Sequence, residues 1–312
     1  MGKKLIVITG QTATGKTALA LNKASLLNGN LINADSRQIY RGLTIISGKD
    51  VEDDHFHIDY KAGDKTIGYY TLKNIPVWLY DIIDPRQLFS SHEYVTIATK
   101  LIAELLEKNI TPVVVGGTYL YLYHLLYGLD KTGEVNSELR EELSNKSVVE
   151  LQQLLINKDK EMFNKLNHSD QNNPHRLIRK LEQIEAGIRT TGMSQNYTFR
   201  LPSLLHIPDL EIEIYGTHTE DKDALKARIR KRVVQRIEGG AIEEVQKILS
   251  SGYKGNEPGL KTLGFSLLSD YIQNSISKDY LIEQWTIKEL QYAKRQYTFM
   301  KRDPNIKWIS PA

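Results

Sequence analysis

Short apolar runs alternate with helical segments through the first 130 residues of the chain. Helical periodicity follows the first and the last of these runs, and a further helix is predicted from Ser90 or Ser91, with Glu93 near the capping-box position. Alternating strands and helices predict an α/β fold, with a parallel sheet covered on both faces. Four runs are typical of buried strands: KLIVIT (4–9), LINAD (31–35), VWLYDII (77–83) and TPVVVGG (111–117).

The pattern changes after residue 135. Helical segments dominate from 136 to 200, LEIEIYG (210–216) then indicates another strand, and long helices precede a last strand at IKWI. The polar, turn-rich stretch 47–75 contains no clear helix. We therefore predict a P-loop NTPase-like core made of residues 1–135 and 201–312, with an inserted helical subdomain at 136–200.

Composition narrows the functional classes. The 312 residues are 40% hydrophobic and 25% charged, and the net charge of +3 does not by itself indicate a nucleic-acid-binding protein. The absence of cysteine excludes a disulfide scaffold, a thiol nucleophile and a thiolate metal site. The apolar run near the N-terminus is too short for a signal peptide or a membrane span, which predicts a soluble, cytoplasmic protein.

A glycine-rich loop follows the first predicted strand. The segment GQTATGKTALA (10–20) matches the pattern G-x-x-x-x-G-K-[ST] in full. Backbone N–H groups of such a loop point at an anion, the lysine adds positive charge and the threonine can hold Mg²⁺. A diphosphate or triphosphate is therefore expected here, with Thr17 as the metal ligand. The candidate set is Gly10, Gln11, Thr12, Ala13, Thr14, Gly15, Lys16 and Thr17.

Asp35 is the one carboxylate at a predicted strand end near this loop. Because the carboxyl ends of parallel strands meet at one edge of a sheet, Asp35, Ser36 and Thr118 should lie near the loop. A nucleotide-hydrolysing P-loop protein usually holds Mg²⁺ with a second acidic residue at a strand end, whereas TPVVVGG ends in glycines. Asp35 is then either a metal ligand or a general base, and the residues alone leave both roles open.

Basic residues are concentrated in three segments. Such patches suggest a one-sided positive surface suited to an RNA backbone. The alternative is a set of solvated helix faces with internal salt bridges. The three groups are Lys226, Arg228, Arg230, Lys231, Arg232 and Arg236; His175, Arg176, Arg179 and Lys180; and Lys294, Arg295, Lys301 and Arg302.

Seven segments, in order, resemble the tRNA dimethylallyltransferases, the isopentenyl transferases that modify an adenine next to the anticodon. The loop is similar to the family's G-P-T-A-x-G-K-T, NADSRQIYRGL to its D-S-x-Q-x-Y segment, and VVVGGTYLYLYHLLYGL to its V-G-G-T-G-L-Y. Four later segments match further landmarks: NNPHRLIRKLEQIEAG, ARIRKRVVQRIEGGAIEEV, KTLGF and QYAKRQYTFMKR. The similarity spans nearly the whole chain.

This resemblance implies transfer of a dimethylallyl group from dimethylallyl diphosphate to N6 of the adenosine 3′-adjacent to the anticodon. It implies that the loop and Arg232 bind the diphosphate with Mg²⁺, that Asp35 accepts a proton, and that Lys16, Thr17 and Thr118 complete the catalytic set. It also implies binding of the anticodon stem-loop of tRNA. Nothing in the sequence demands a dimer, so a monomer is expected, and no contact with a membrane is expected. The implied tRNA contacts are Asp35, Ser36, Arg37, Gln38, Thr118, Arg140, His175, Arg176, Leu177, Ile178 and Arg179.

The chain departs from the family pattern at several positions. Gln11 stands where the family commonly has proline, and a small effect is expected because that proline only stiffens the loop. Tyr119 replaces a common glycine and is expected to narrow the cavity. Val77 and Trp78 replace a usual pair of histidines, and the preceding stretch 50–75 is longer than usual.

Three other functions compete with this interpretation. A P-loop kinase for a small molecule is disfavoured by the glycine-ended strand and the long basic helices. Prenyl transfer onto free AMP, ADP or ATP is disfavoured by the helical insertion, which suits a large RNA. A non-catalytic RNA-binding protein of the same fold would differ from the enzyme in not needing Asp35.

Overall fold

The computed structural model describes residues 2–51, 55–128, 137–188, 197–200 and 209–310. The chain forms two units, one made of residues 1–126 and 199–312 and the other of residues 127–198. The second unit thus begins nine residues before the predicted insertion at 136–200 and ends two residues before it does. Within the described ranges, no helix is both long and apolar enough to cross a membrane.

An eight-stranded sheet runs through the first unit, in the order β3-β4-β5-β2-β6-β1-β7-β8. The six strands from β5 to β8 in this order are parallel, which confirms the predicted α/β class with a P-loop-like sheet. The strands are β1 (Lys4–Gly10), β2 (Gly29–Asn33), β3 (His57–Ala62), β4 (Lys65–Leu72), β5 (Ile75–Trp78), β6 (Thr111–Val115), β7 (Glu211–Thr217) and β8 (Ile306–Ile309).

The helices occur in both units. Helices α4 to α7 belong to the second unit, and a π-helical turn at Ile237–Ala241 and a 3₁₀ turn at Pro258–Lys261 interrupt the C-terminal part. The helices are α1 (Lys16–Leu26), α2 (Ser91–Glu107), α3 (Tyr119–Tyr127), α4 (Ser137–Ser144), α5 (Val148–Lys165), α6 (His168–Gln171), α7 (Pro174–Glu185), α8 (Lys222–Arg236), α9 (Ile242–Ser250), α10 (Phe265–Ile272) and α11 (Lys278–Met300).

The position of β1 in the sheet locates the ligand site. From β1 the chain crosses through α1 to β2 on one side, while β6 and β7 pair with β1 directly on its two sides. Strand order therefore reverses at β1, and ligands of open α/β sheets bind beyond the carboxyl ends of the strands at such a point. The apolar residues of β1, β2 and β6 fill the core beneath this edge.

Two antiparallel strands extend one edge of the sheet where the sequence indicated no helix. Strands β3 and β4 form a hairpin, and β4 pairs with β5 through a turn at Lys73 and Asn74, both of which have positive φ. Strand β5 ends at Trp78, because Leu79 and Asp81 also adopt positive φ and cannot continue a strand. The strand predicted at 77–83 is therefore mostly an irregular segment.

The second unit is helical and has its own core. Ser147 caps α5 through a capping box with Glu150, and Pro174 occupies the first turn of α7. Six buried side chains form the core: Leu143, Leu151, Leu155, Leu177, Ile178 and Leu181. Leu143 lies on α4, whereas the other five residues recur at helical spacing on α5 and α7, so these two helices pack along their apolar faces.

Candidate active site

The loop between β1 and α1 requires glycine at both of its ends. Gly10 has a φ of +138°, and a Cβ at this position would lie 2.2 Å from the carbonyl oxygen of Thr217. Gly15 has a φ of +82° directly before α1 begins at Lys16. The loop therefore runs tightly against β7 and leads into a helix N-terminus, a combination suited to an anion.

Lys16 lies against this loop. Its Nζ donates a hydrogen bond to the carbonyl oxygen of Gln11 at 2.6 Å. Burial of the ammonium, reinforced by the charge of Arg232, lowers the pKa of Lys16 to about 8. A bound anion would favour the charged form, so Lys16 is placed to gain charge stabilisation when a diphosphate binds.

Side chains of the two C-terminal helices α8 and α11 form hydrogen bonds with the loop. Arg232 of α8 donates from Nη1 to Oγ1 of Thr12 at 3.1 Å, as expected for a member of the predicted diphosphate set. The backbone N–H of Thr12 donates to Oε1 of Gln296 on α11 at 2.8 Å. Sequence analysis identified Arg232 but missed Gln296, which also donates to the carbonyl oxygen of Gly117 at 3.0 Å.

The carboxyl ends of β2 and β6 meet beside the loop. A Cβ at Gly116 would lie 2.2 Å from the carbonyl carbon of Ala34, so glycine is required for this approach. The backbone N–H of Ser36 donates to Oγ1 of Thr118 at 2.9 Å, and Thr118 donates to Oγ of Ser36 at 3.1 Å. Burial raises the pKa of Tyr292, and the neighbouring Thr118 side chain acts in the opposite direction. Ser36 and Thr118 are therefore brought together, and Tyr292 is a neighbour that sequence analysis did not identify.

Asp35 is an isolated acid at the end of this strand pair. Burial raises the pKa of Asp35, although the N–H of Arg37, which donates to Oδ1 at 2.9 Å, and the charge of Lys16 act in the opposite direction. A raised pKa improves a carboxylate as a proton acceptor near neutral pH. Among the described residues, no three His, Cys, Asp or Glu side chains gather into a metal-binding group.

Glu289 of α11 is a second carboxylate near the loop, and unlike Asp35 it is buried. Its Oε1 accepts a hydrogen bond from Nη1 of Arg236 at 2.9 Å, and its charge raises the pKa of both Lys16 and Asp35. Glu289 thus adds a carboxylate from a helix to the one that Asp35 provides after the end of β2. The signal was available in α11, where polar side chains interrupt a buried stripe: Trp285, Glu289, Ala293, Gln296 and Met300.

Two predicted RNA contacts are engaged within the first unit. The guanidinium of Arg37 donates from Nη1 to the carbonyl oxygen of Pro258 at 2.9 Å. Nε2 of Gln38 donates to the carbonyl oxygen of Gly48 at 2.8 Å. Both side chains hold neighbouring loops in place, so any contact with RNA would use their remaining polar atoms.

Two of the residues predicted to contact tRNA in the second unit belong to its core. Leu177 and Ile178 are 0% and 7% exposed, respectively, and pack among the leucines of α5 and α7. Their assignment as RNA contacts is corrected accordingly, since they occupy the buried face of α7. His175 on the same helix is exposed.

The arginines of the second unit form ion pairs. Arg140 and Arg179 both bind the carboxylate of Glu182, at 2.6 Å and 2.8 Å, and Arg176 pairs with Asp170. The arrangement matches the alternative considered for this basic segment, a helix surface with internal salt bridges. An RNA phosphate would have to share these arginines with the acids.

The family of the chain follows from comparison with known proteins. The model of the family described as IPP transferase matches residues 38–303. The chain belongs to the IPP transferase family. This finding confirms the resemblance to isopentenyl transferases, and the matched range includes Thr118 and Arg232.

Relatives of this IPP transferase family member cover almost its whole length. A tRNA dimethylallyltransferase of Endomicrobium trichonymphae is 34% identical over 305 residues, which are 98% of this chain and 94% of the relative. One from Alkaliphilus oremlandii is 33% identical over 313 residues, 99% of this chain and 92% of the relative. These identities extend through both units.

Solved structures of two such enzymes share the fold. The tRNA isopentenylpyrophosphate transferase of Bacillus halodurans is 28% identical, with a TM-score of 0.65 over 99% of this chain and 90% of its own. The tRNA delta(2)-isopentenylpyrophosphate transferase of Staphylococcus epidermidis is 27% identical, with a TM-score of 0.66 over 99% and 93%. The P-loop-like sheet and the helical second unit are thus features of a known architecture.

Proposed function

We propose that this IPP transferase family member transfers a dimethylallyl group from dimethylallyl diphosphate to N6 of the adenosine 3′-adjacent to the anticodon of tRNA, releasing diphosphate. The observation that carries the proposal is the position of Asp35, a half-buried carboxylate just after the end of β2, beside a complete phosphate-binding loop. The names of the relatives, tRNA dimethylallyltransferases, support the donor and the acceptor.

The chemistry requires charge stabilisation on the leaving group. The exocyclic amine of adenine forms a bond to C1 of the allyl group while the bond from C1 to the diphosphate oxygen breaks. Lys16, Arg232 and the N-terminus of α1 stabilise the negative charge that develops on the diphosphate. Asp35 accepts the proton that the amine loses, and its raised pKa suits this role.

Mg²⁺ is proposed as the cofactor, and the hydroxyl of Thr17 would hold it beside the diphosphate. The donor set fits this ion because Mg²⁺ usually retains several waters and binds substrate phosphates rather than a cage of protein ligands. The described residues accordingly offer no cluster of three or more ligating side chains. The bound ion would neutralise part of the charge on the leaving diphosphate.

RNA recognition is proposed to involve both units. The target adenine has to leave its base stack to reach the crevice, where Ser36 and Thr118 offer hydroxyl groups next to Asp35. His175 and the arginines Arg140, Arg176 and Arg179 would contact the anticodon arm. We propose that the protein acts in the cytoplasm as a monomer.

The decisive experiment measures transfer of the dimethylallyl group to three candidate acceptors. Unmodified tRNA with adenine 3′ of its anticodon, AMP and ATP are each incubated with the protein, Mg²⁺ and dimethylallyl diphosphate, and the products are analysed by mass spectrometry. We expect a five-carbon gain on that one adenosine of the tRNA. Gain on AMP or ATP alone would assign the chain to free-nucleotide prenyl transfer, and no gain on any acceptor would overturn the proposal.

The Asp35→Asn variant tests whether Asp35 is the general base. The amide keeps the size of the side chain but cannot accept a proton, so we expect kcat to fall by about 10²–10⁴-fold, the usual contribution of a general base. The affinity for tRNA should remain, which separates the enzyme from a non-catalytic RNA-binding protein. Normal turnover by Asp35→Asn would remove Asp35 from the role of base.

A further inference from the structure

Two arginines on one face of α8 each use one nitrogen of the guanidinium to bind a neighbouring element. Arg232 donates from Nη1 to Oγ1 of Thr12 in the loop, and Arg236 donates from Nη1 to Oε1 of Glu289 on α11. Neither Nη2 atom forms a hydrogen bond with any described residue. Because positions i and i+4 lie on the same face of a helix, the two guanidinium groups are neighbours.

Gly48 lies where the two Nη2 atoms converge. Its φ is +69°, and a Cβ at this position would collide with Nη2 of Arg236 and lie 3.4 Å from Nη2 of Arg232. Both Nη2 atoms therefore face the same place. The backbone here is fixed by Gln38, whose Nε2 donates to the carbonyl oxygen of Gly48 at 2.8 Å. The glycine thus makes room for a second guanidinium beside Arg232, a member of the proposed diphosphate set.

The charges around Arg236 belong to the candidate active site. Burial lowers the pKa of Arg232, and the positive charge of Arg236 acts in the same direction. Burial lowers the pKa of Lys16 and raises that of Asp35, and the charge of Glu289 raises both. The ion pair of Arg236 and Glu289 therefore lies among the groups proposed to bind diphosphate and to accept the proton.

The guanidinium of Arg236 is held in one orientation. Its Nη1 lies 2.9 Å from Oε1 of Glu289, and its central carbon lies 5.9 Å from the ring centroid of Trp285. A planar guanidinium can bind two acceptors at once, whereas a lysine ammonium offers no such fork. The ion pair with Glu289 uses one edge of this fork, and the other edge faces Gly48.

We propose that Arg236 is a second arginine of the diphosphate site, with Nη1 bound to Glu289 and Nη2 donating to a diphosphate oxygen beside Nη2 of Arg232. The proposal rests on the dimethylallyl transfer proposed above. Two adjacent guanidinium groups repel one another, and an anion bound between them replaces that repulsion with attraction. Arg236 thereby stabilises the negative charge that develops on the leaving diphosphate, and Glu289 is a positioning residue that acts through Arg236.

The alternative is an ion pair that only joins α8 to α11. The two interpretations differ in the diphosphate affinity of a folded protein that lacks the pair. Replacing a buried ion pair with apolar side chains of similar size often leaves the stability of a protein unchanged. Arg236→Met with Glu289→Leu is such a replacement. It also preserves the net charge of the chain, because it removes one cation and one anion.

Calorimetry of the full chain measures the binding of inorganic diphosphate in the presence of Mg²⁺. We expect the double variant to bind diphosphate about tenfold or more weakly than the wild type, the usual contribution of a hydrogen bond to a charged group. The KM for dimethylallyl diphosphate should rise to a similar extent. The matched control, Lys100→Met with Glu104→Leu, removes an ion pair on the surface of α2 and should bind diphosphate as the wild type does.

Gly48→Ala tests the same contact without removing a charge, because a methyl group here would displace Nη2 of Arg236. Gly42 provides the control, since its φ is +75° and a Cβ there would meet no atom within 4 Å. Both substitutions impose similar backbone strain, and only one of them displaces the guanidinium. We expect Gly48→Ala to weaken diphosphate binding by at least about threefold and Gly42→Ala to leave it unchanged.

The possible outcomes separate this inference from the proposed function. Equal diphosphate affinities of the wild type and the double variant overturn the inference, as does a Gly48→Ala variant that binds as tightly as Gly42→Ala. The function stands in either case if the wild type prenylates tRNA. Weaker binding by both variants, in a protein that prenylates none of the three acceptors, supports the contact and overturns the function. A wild type that binds no diphosphate overturns both.

Discussion

Gln11, which stands where the family commonly has proline, forms several contacts in the structure that the sequence pattern did not indicate. Its side chain is buried, with Oε1 2.9 Å from Nδ1 of His218 and 3.3 Å from the N–H of Thr219. Its carbonyl oxygen accepts the hydrogen bond from Lys16, and its own N–H donates to Thr217 at 3.1 Å. The expectation of a small effect treated this position only as a question of loop stiffness, whereas Gln11 connects the loop to β7.

We predict that Gln11→Ala raises the KM for dimethylallyl diphosphate several-fold and lowers the free energy of unfolding by about 1–3 kcal/mol, because His218 and the N–H of Thr219 lose a buried partner. Gln11→Pro should also lose the hydrogen bond to Thr217 and be at least as impaired. Steady-state kinetics and urea unfolding measure the two effects. Wild-type kinetics of the Gln11→Pro variant would instead support the expectation that position 11 affects only the stiffness of the loop.

Lys16 gives a prediction for the pH dependence of the reaction. The pKa of Lys16 is lowered to about 8, so in the free enzyme the ammonium loses its charge as the pH rises through this value. We expect kcat/KM for dimethylallyl diphosphate to fall above about pH 8, while kcat falls only at higher pH, because the bound anion favours the ammonium.

The Lys16→Arg variant tests whether loss of the proton from Lys16 causes this fall in kcat/KM. Lys16→Arg keeps the positive charge throughout this range, since an arginine does not lose its proton below about pH 12. The alkaline fall in kcat/KM should therefore disappear in Lys16→Arg, even if the overall rate is lower. An unchanged alkaline fall would assign it to a different group.

At the scale of elements, sequence pattern predicted the strands that are both buried and regular. Strands β1 and β6 are continuous runs of Ile, Leu and Val, and the structure has them close to the predicted bounds. The hairpin of β3 and β4 was missed because β3 is largely exposed and β4 is mixed in polarity, so neither the strand nor the helix periodicity is evident there. The end of β5 was misplaced because Leu79 adopts positive φ within an apolar run.

The residues of the candidate site likewise fall into those that the sequence predicted and those that it did not. The loop, Asp35 and Thr118 were predictable because each is part of a short motif next to a strand. Glu289 and Gln296 reach the same place from a helix more than 250 residues further along the chain. The polar interruptions of the buried stripe of α11 mark both residues as unusual, but only the packing of α11 against the loop shows which site they reach.

The contact between α8 and α11 makes a prediction about stability. Arg236 and Glu289 are 13% and 9% exposed in their side chains, and either one left alone would be a buried, unpaired charge. We expect Glu289→Leu or Arg236→Met to lower the free energy of unfolding by about 3–5 kcal/mol, and the double variant to recover most of the loss. Urea unfolding of the full chain measures this.

An exposed pair serves as the control for that cycle. Lys100 and Glu104 lie 3.8 Å apart on α2, with side chains 55% and 35% exposed, and their removal should change the stability by less than about 1 kcal/mol. If Glu289→Leu is as mild as this control, the Arg236–Glu289 pair contributes nothing to holding α8 against α11.

At the scale of the whole molecule, the chain leaves and returns to the first unit at one place. The N–H of Arg200 donates to the carbonyl oxygen of Leu126 at 2.8 Å, so the ends of the second unit are adjacent. All residues proposed to bind diphosphate lie in the first unit. A short linker between adjacent ends closes only a small loop, which the fold should tolerate.

We therefore predict that replacing residues 127–198 with a short Gly-Ser linker leaves the binding of inorganic diphosphate with Mg²⁺ within about threefold of the wild type, measured by calorimetry. Transfer to tRNA should fall by about 10²-fold or more, because four proposed RNA contacts, Arg140, His175, Arg176 and Arg179, are removed. If the shortened protein instead prenylates tRNA with an unchanged kcat/KM, RNA recognition resides entirely in the first unit, and the insertion needs another explanation.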